Sequence, residues 1–196
     1  GHDPHHIERF FRECYSSGFT QRPDLTMMGA CSGLEMACWD IIGKAAGKPV
    51  YELIGGKVHD KLRCYTYLYP TNSKGEHDYD CPDLAVECAL KNMEQGFTAL
   101  KFDPAGPYSA YSGHQISLKT LARSEDFCRK IRAAVGNHCD LLFGTHGQMT
   151  PASAIRLAQR LEPYDPLWFE EPVPPGQAEA MAQVAALAAV GGLPET

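Results

Sequence analysis

The sequence predicts an α/β fold in which strands and helices alternate around a parallel sheet, after a helical N-terminal segment. Beyond Lys57, apolar stretches of strand length are separated by helical segments of about ten to fifteen residues, which is typical of successive β/α units. Before that point, apolar residues recur at helical spacing. Polar side chains also gather just after the predicted strands, where β/α folds carry their functional groups.

Two helices are predicted before the β/α units. The apolar residues from Ile7 to Cys14 recur at helical spacing and predict an amphipathic helix that ends near Gly18. The segment 26–43 is rich in Gly, Ala and Met, and it is predicted to form a buried helix. Glycine and proline then predict a loop over 43–56.

Four strands are predicted in the second part of the chain, at 63–69, 97–103, 139–145 and 166–172. Helices are expected between them, near 82–95, 118–135 and 151–162. Prolines suit the first turn of two of these helices, and glycines suit their ends.

Composition excludes several classes of function. The 196-residue chain has a formal charge of −6 with its Lys and Arg scattered singly, which argues against binding to nucleic acid. No apolar run approaches the roughly 18 residues needed to cross a bilayer, so no membrane role is expected. The N-terminus lacks signal-peptide features, and we expect a cytoplasmic protein. The chain also lacks an initiator Met, which fits a processed chain or a fragment.

The eight cysteines do not predict a metal site. No two of them have the C-x-x-C spacing typical of zinc ligands, and several lie within apolar helix or strand patterns. We expect free, mostly buried thiols in a reducing compartment.

The ends of the predicted strands carry the candidate functional residues. Lys101 and Asp103 end the second strand, His146 and Gln148 follow the third, and Glu170 ends the fourth. Each has a structural interpretation as well: a strand-end His is often a hydrogen-bonded structural residue, and Glu-Glu-Pro is a plausible charged turn. Together, a cation, an imidazole and carboxylates suit removal of a proton beside a substrate carboxylate.

The long loop after the second strand is rich in Gly, Pro and Tyr, and such loops often carry function. Within it, Tyr108 is a candidate for substrate contact or an ordinary loop residue. Gln148 is the second candidate for substrate binding.

Three segments carry a resemblance to a known family. The run ACSGLEMACWDIIGK (30–44), with the glycines and proline that follow it up to Gly56, resembles the signature of the mandelate racemase and muconate lactonizing enzyme family. The segment EPYDPLWFEEPVPP is similar to the fourth-strand region of that family. The segment THGQMTPASAIRLAQRLEPY resembles the acid-sugar dehydratases within it.

The resemblance implies part of an enolase-superfamily fold. Residues 1–60 would be the remainder of an α+β capping domain and its linking helix, and residues 61–196 the first four β/α units of a modified TIM barrel. It implies Mg²⁺ bound by carboxylates at the ends of the third, fourth and fifth strands. It also implies a homo-oligomer when the protein is complete.

Roles carried over by position come with two departures. Glu170 matches the fourth-strand metal ligand, His146 matches a third-strand acid–base histidine, and Lys101 matches the first lysine of a K-x-K motif. Asp103 stands where the motif has its second lysine, and Gly144 stands where the third-strand aspartate ligand is expected. Our hypothesis is that Asp103 or His146 replaces the missing metal ligand.

The implied function is a Mg²⁺-dependent sugar-acid dehydratase. It would remove the proton next to the carboxylate and eliminate the neighbouring hydroxyl, giving a 2-keto-3-deoxy acid. Racemisation or cycloisomerisation on the same scaffold is the alternative enzyme, because all three reactions share the enolate. A truncated protein without catalytic activity is the alternative of another class, supported by Gly144 and by the end of the chain before a fifth-strand glutamate.

Overall fold

The computed structural model describes residues 2–16, 24–106 and 115–188. Its contacts divide the chain into two compact units, Gly1–Leu62 and Arg63–Thr196. The first unit is helical in its described part, and the second holds the parallel sheet. The predicted α/β fold class is therefore confirmed.

The first unit contains helices α1 (Ile7–Tyr15), α2 (Leu25–Ala46) and α3 (Val50–Leu53). The Asp24 side chain caps α2 by accepting a hydrogen bond from the Met27 N–H at 2.9 Å. The helix ends at Gly47, whose φ of 66° is the left-handed conformation that favours glycine. None of the described helices is both long enough and apolar enough to cross a membrane.

The loop predicted over 43–56 was partly wrong. Helix α2 continues to Ala46, and residues 50–53 form the short helix α3. Gly43 does not stop the helix: a Cβ on it would lie 2.7 Å from the Lys48 carbonyl oxygen, so glycine is needed there for close packing.

The prediction that α2 is buried was also wrong. Of its 22 residues only Cys31 and Gly43 are buried, although apolar side chains lie all around the helix. Within its own unit α2 is covered by α1 and α3 alone among the described helices, and these reach only part of its surface. The exposed apolar side chains include Leu25, Met27, Leu34, Met36 and Ile41.

Fewer cysteines are buried than the sequence led us to expect. Three of the eight, Cys31, Cys128 and Cys139, are buried. In the first unit, a hydrogen bond with the Cys31 thiol and the desolvation of Cys14 raise the pKa of Cys14 to about 11.

The second unit forms a four-stranded parallel sheet in the order β1-β2-β3-β4. The strands are β1 (Thr66–Tyr67), β2 (Ala99–Phe102), β3 (Asp140–Gly144) and β4 (Pro166–Glu170). The helices are α4 (Pro82–Glu94), α5 (Leu118–Val135), α6 (Pro151–Leu161) and α7 (Ala178–Leu187), with short 3-10 turns at 136–138 and 162–164. The predicted strands and helices are present, and β1 is shorter than predicted because its pairing with β2 covers only two residues.

The two faces of the sheet differ in character. One face packs against the helices through buried side chains such as Leu100, Phe102, Leu141 and Phe143. On the other face the parallel register places Lys101 opposite Tyr67 and Leu142, and Gly144 opposite Glu170. Because all four strands run in the same direction, their carboxyl ends meet at one edge, where the polar side chains are close enough to interact.

Arg132 joins three segments of the second unit. From near the end of α5, its guanidinium donates hydrogen bonds of 2.8 to 3.0 Å to four backbone carbonyls. These are the carbonyls of Gly136, Cys139, Tyr164 and Asp165. The side chain thereby ties the end of α5 to the segments that begin β3 and β4. Sequence reasoning did not single it out.

We expect Arg132→Met to lower the free energy of unfolding by about 2–4 kcal/mol, because partly buried carbonyls lose a charged donor. The corresponding fall in Tm is roughly 5–15 °C for a chain of this size, measured by circular dichroism. Arg129→Met on the same helix is the control, since Arg129 makes only an exposed ion pair with Asp126. Equal melting of the two variants would contradict this role for Arg132.

Candidate active site

A cavity of about 730 Å³ opens at the carboxyl ends of β1, β2 and β3. Three of the predicted site residues, Asp103, His146 and Gln148, contribute to its wall. Most of the remaining wall comes from β1 and the segment after it, which contribute aromatic rings and the carboxylates of Asp78 and Asp80. Concave sites with a few polar groups in an otherwise apolar lining are typical of small-molecule binding sites.

His146 and Gln148 reach the cavity because the chain after β3 continues alongside the end of β4. Alternate residues of this segment, Thr145, Gly147 and Met149, donate their N–H groups to the backbone carbonyls of residues 170, 171 and 172 in turn. The residues between them, His146 and Gln148, are left to present their side chains to the cavity. Gly147 has a φ of 64°, and a Cβ there would lie 3.3 Å from Pro174, so this close approach requires glycine.

Asp103 and His146 form a carboxylate–imidazole pair. His146 Nδ1 lies 3.5 Å from Asp103 Oδ2, and the Gln148 amide nitrogen lies 3.5 Å from the same ring nitrogen. A carboxylate only accepts hydrogen bonds and an amide NH2 only donates them, so the Gln148 contact favours a lone pair on Nδ1, whereas the charge-assisted contact with Asp103 favours a proton there. With the proton on Nδ1, the opposite ring nitrogen, Nε2, carries the lone pair that can accept a proton.

The Asp103 carboxylate is fixed from its other side. Its Oδ1 accepts from the Ala105 N–H at 2.8 Å and from the Gly106 N–H at 3.3 Å. Burial raises the pKa of the Asp103 carboxyl above its ordinary value, and this outweighs the lowering by the two N–H groups and by His146. Burial and the nearby charge of Asp103 also raise the pKa of Tyr67, which keeps this phenol neutral at physiological pH.

Four rings form an aromatic row along the cavity wall: Tyr67, Tyr69, His77 and Tyr79. Successive ring centroids lie 5.2, 5.7 and 5.7 Å apart. The chain turns back between the second and third rings, where Thr71 and His77 form an antiparallel bridge. Sequence reasoning missed this row, although the alternation of Tyr67 with Tyr69, and of His77 with Tyr79, was a signal that could have found it.

Lys101 and Glu170 form an ion pair across the sheet. Lys101 Nζ lies 2.7 Å from each carboxylate oxygen of Glu170, with side-chain exposures of 16% and 30%. The lysine passes over Gly144, and its Nζ lies 5.6 Å from the centre of the Tyr65 ring. The predicted site residues therefore fall into two groups, one beside the cavity and one across β2, β3 and β4. Tyr108 lies outside the described residues.

Comparison with known proteins assigns the chain to a family. Residues 1–55 match the family described as mandelate racemase / muconate lactonizing enzyme, N-terminal domain, and residues 84–193 match the family described as enolase C-terminal domain-like. The chain belongs to the mandelate racemase/muconate lactonizing enzyme family of the enolase superfamily. The resemblance seen in the sequence is thereby confirmed.

Among its relatives, D-gluconate dehydratase from Thermoproteus tenax is 35% identical over 88% of this chain and 33% of that protein. D-gluconate/D-galactonate dehydratase from Picrophilus torridus is 34% identical over 86% of this chain and 41% of that protein. A solved structure of a mandelate racemase/muconate lactonizing enzyme-type protein from Burkholderia SAR-1 is 74% identical with a TM-score of 0.93, covering 97% of this chain and 47% of that one. The chain thus spans between a third and a half of the length of these proteins.

Members of the enolase superfamily generally use Mg²⁺, so a site for this cation is expected among the residues at the strand ends. A hard divalent cation is held by several oxygen ligands. Within residues 2–16, 24–106 and 115–188, no three His, Cys, Asp or Glu side chains come together as a metal site. Glu170 faces the Lys101 ammonium, and Asp103 is engaged by two N–H groups and His146. The described residues therefore do not form a Mg²⁺ site by themselves.

We expect Asp103→Asn to raise Tm slightly at pH 7, by on the order of 1–3 °C. Because the folded pKa of Asp103 is raised, its charged form weakens the fold, and stability is lost as pH rises from the unfolded value through the folded one. Asparagine retains the oxygen that accepts from the Ala105 N–H, without the charge. The difference in Tm between Asp103→Asn and the original chain should therefore increase from pH 4 to pH 7, as measured by melting curves at both pH values.

Asp78→Asn is the matched control. Asp78 also accepts a backbone N–H, from Asp80 at 3.1 Å, but this bond lies at the surface. The control should melt like the original chain at both pH values. A lower Tm for Asp103→Asn at pH 7 would show that the ion pair with His146 outweighs the cost of burying the carboxylate.

Proposed function

We propose that the complete protein is a sugar-acid dehydratase. The observation that carries the proposal is the pair of Asp103 and His146 on the wall of a cavity at the carboxyl ends of parallel strands. Relatives about 34–35% identical are named for the dehydration of gluconate and galactonate, which supports the same class of substrate. Because this chain spans less than half of those proteins, the activity is proposed for the whole protein.

In the proposed reaction, a base removes the proton on the carbon next to the carboxylate. The electron pair of that C–H bond forms an enolate, and the hydroxyl on the following carbon leaves with its bonding pair after it is protonated. Water is released, and the resulting enol becomes a 2-keto-3-deoxy acid. His146 Nε2 can take the first proton or, from the protonated ring, donate to the leaving hydroxyl.

Asp103 would act in this scheme by positioning His146. A carboxylate beside Nδ1 fixes the tautomer that exposes an unprotonated Nε2, and it stabilises the imidazolium after proton transfer. Its own orientation is set by the Ala105 and Gly106 N–H groups. Asp103 is thus a positioning residue, in addition to the metal-ligand role suggested from the sequence.

Lys101 would supply positive charge to the substrate carboxylate and to the enolate that develops from it. A fixed ammonium in a partly buried site stabilises such charge more strongly than one in water. In this structure Glu170 already pairs with that ammonium. In the complete protein Glu170 would be a ligand of Mg²⁺ only after Lys101 has left it, and the cation would then supply further positive charge; no step above depends on it.

The aromatic row and Gln148 would hold the polyol part of the substrate. Ring faces pack against C–H groups, while the phenol and amide groups bond to hydroxyls. The cavity of about 730 Å³ is large enough for a six-carbon sugar acid. We extend the substrate-binding role to Tyr108 as a prediction from the sequence.

A non-catalytic role for this chain on its own is the second candidate. It is favoured by Gly144, which offers no side-chain ligand, and by the pairing of Glu170 with Lys101. Such a protein would bind a sugar acid in the cavity without converting it.

Racemisation or cycloisomerisation on the same scaffold is the alternative reaction. Neither reaction releases water, so the product keeps the composition of the substrate, and product analysis distinguishes both from dehydration.

We further propose a homo-oligomeric, cytoplasmic protein. Residues 1–60 would be the remainder of the capping domain and its linking helix, and residues 61–196 the first four units of the barrel. The apolar side chains exposed on α2 would then be covered in the complete assembly.

We expect His146→Asn to lower kcat for dehydration of D-gluconate or D-galactonate by about 10²–10⁴-fold in the complete protein, because a general acid–base group is lost. Release of 2-keto-3-deoxy acid measures the activity. His138→Asn is the control, since this exposed histidine lies in the turn before β3, outside the cavity. Full activity of the His146 variant would exclude His146 from the chemistry.

We expect Tyr79→Ala to raise KM roughly tenfold with little change in kcat, because a ring of the binding wall is lost while the reacting groups remain. Tyr79→Phe keeps the ring and should show a smaller increase in KM. Initial rates over a range of substrate concentrations provide both constants. A fall in kcat alone would argue against a binding role for the row.

A further inference from the structure

We propose that Lys101 is a built-in competitor of divalent cations for the Glu170 carboxylate, and that Gly144 is the residue that permits this competition. The inference concerns cation binding alone and does not depend on dehydratase activity. It follows from the failure of the described residues to form a Mg²⁺ site and from the geometry of the side chains around Gly144.

The ammonium of Lys101 occupies the place that a metal would take at Glu170. Its Nζ is equally close, 2.7 Å, to both oxygens of the carboxylate. A cation held by both of these oxygens would lie close to the ammonium, and the repulsion between the two positive centres opposes joint binding. The pair is only 16% and 30% exposed, so water screens this repulsion weakly.

Gly144 provides the space through which Lys101 reaches Glu170. A Cβ on Gly144 would lie 2.6 Å from Lys101 Cε and 3.6 Å from both Cγ and Nζ, and the first of these separations is too short for carbon atoms. Any other residue at 144 would therefore push the end of the lysine aside, and a flexible side chain can yield in this way. An aspartate at this position would therefore require Lys101 to leave the path by which it reaches Glu170 here.

Lys101 contacts an aromatic ring in addition to its ion-pair partner Glu170. Tyr65 places its ring 5.6 Å from Nζ, within the range of a cation–π contact. Tyr65 is itself packed edge-on against Trp168, with ring centroids 5.7 Å apart. An unpaired charge in this partly buried setting would be costly, so removal of either Lys101 or Glu170 should change what the other binds.

The test measures binding of Mn²⁺, used as a paramagnetic substitute for Mg²⁺, to the full chain. Free Mn²⁺ is followed by electron paramagnetic resonance at neutral pH. We expect Lys101→Met to bind Mn²⁺ at least tenfold more tightly than the original chain, because Glu170 is released. The double variant Lys101→Met, Glu170→Gln should lose that gain.

Gly144→Asp tests the same competition by changing the residue over which Lys101 passes, while it retains the lysine. It should displace the lysine and add a second carboxylate, and it should bind Mn²⁺ more tightly than Lys101→Met. Lys130→Met is the matched control for loss of a positive charge, because Lys130 pairs with Asp83 and Asp126 on the helices. Its Mn²⁺ affinity should equal that of the original chain.

Two results would overturn the proposal. The first is Mn²⁺ binding by the original chain that is as tight as in Lys101→Met and is abolished by Glu170→Gln. The second is a failure of both Lys101→Met and Gly144→Asp to gain affinity while their circular dichroism and melting show a folded chain. If Lys101→Met does not fold, Gly144→Ala decides the question, because its Cβ displaces the end of the lysine without adding a ligand.

Discussion

The ion pair between Lys101 and Glu170 depends on a constraint that governs the whole site: strands that run parallel bring their carboxyl ends to one edge. The register sets Gly144 beside Glu170 and Lys101 beside Leu142, so a long side chain on β2 can cross one strand to reach a carboxylate on β4. A lysine at this depth must find a partner, because an unpaired buried charge is expensive. Without that crossing, both charges would be left partly desolvated.

The same edge of the sheet also explains the second polar group. After β3, three N–H groups of the chain donate to the carbonyl at the end of β4 and to the two carbonyls that follow it, and this fixes the direction of His146. After β2, the turn at Asp103 closes on its own carboxylate through Ala105 and Gly106. Each residue is positioned by local backbone hydrogen bonds, and their contact is a consequence of the two turns lying side by side. Burial at this position raises the pKa of the Asp103 carboxyl.

The bounds of α4, α5 and α6 could be predicted because their signals are local. Ser117 and Thr150 cap α5 and α6 with their side chains, and Pro82 and Pro151 occupy first turns. The environment of α2 could not be predicted from its composition. Small and apolar residues indicate a helix that can be packed closely, but they do not say which partner covers it, and this requires tertiary contacts.

The places of the candidate residues at the ends of the strands could be predicted from the sequence, whereas their pairing could not. Alternation along a strand indicates which side chains share a face. It does not indicate that a lysine will pass over a glycine to a third strand, because that contact depends on the register and on the absence of a Cβ. The aromatic row was missed for a related reason, since two of its rings come from a segment that folds back after β1.

The two departures from the pattern that the family resemblance implies, at 103 and 144, act on the same electrostatic balance. Aspartate in place of lysine at 103 makes the site more negative by two charges, and glycine in place of aspartate at 144 makes it less negative by one. One additional negative charge remains, and it lies beside the imidazole of His146, which can accept a proton. Because residue 144 is a glycine, no side chain there blocks Lys101 from reaching Glu170 and neutralising it. Relative to the pattern that the resemblance implies, the site has a carboxylate beside an imidazole in place of one at a metal position, and Glu170 is balanced by a side chain of the protein itself.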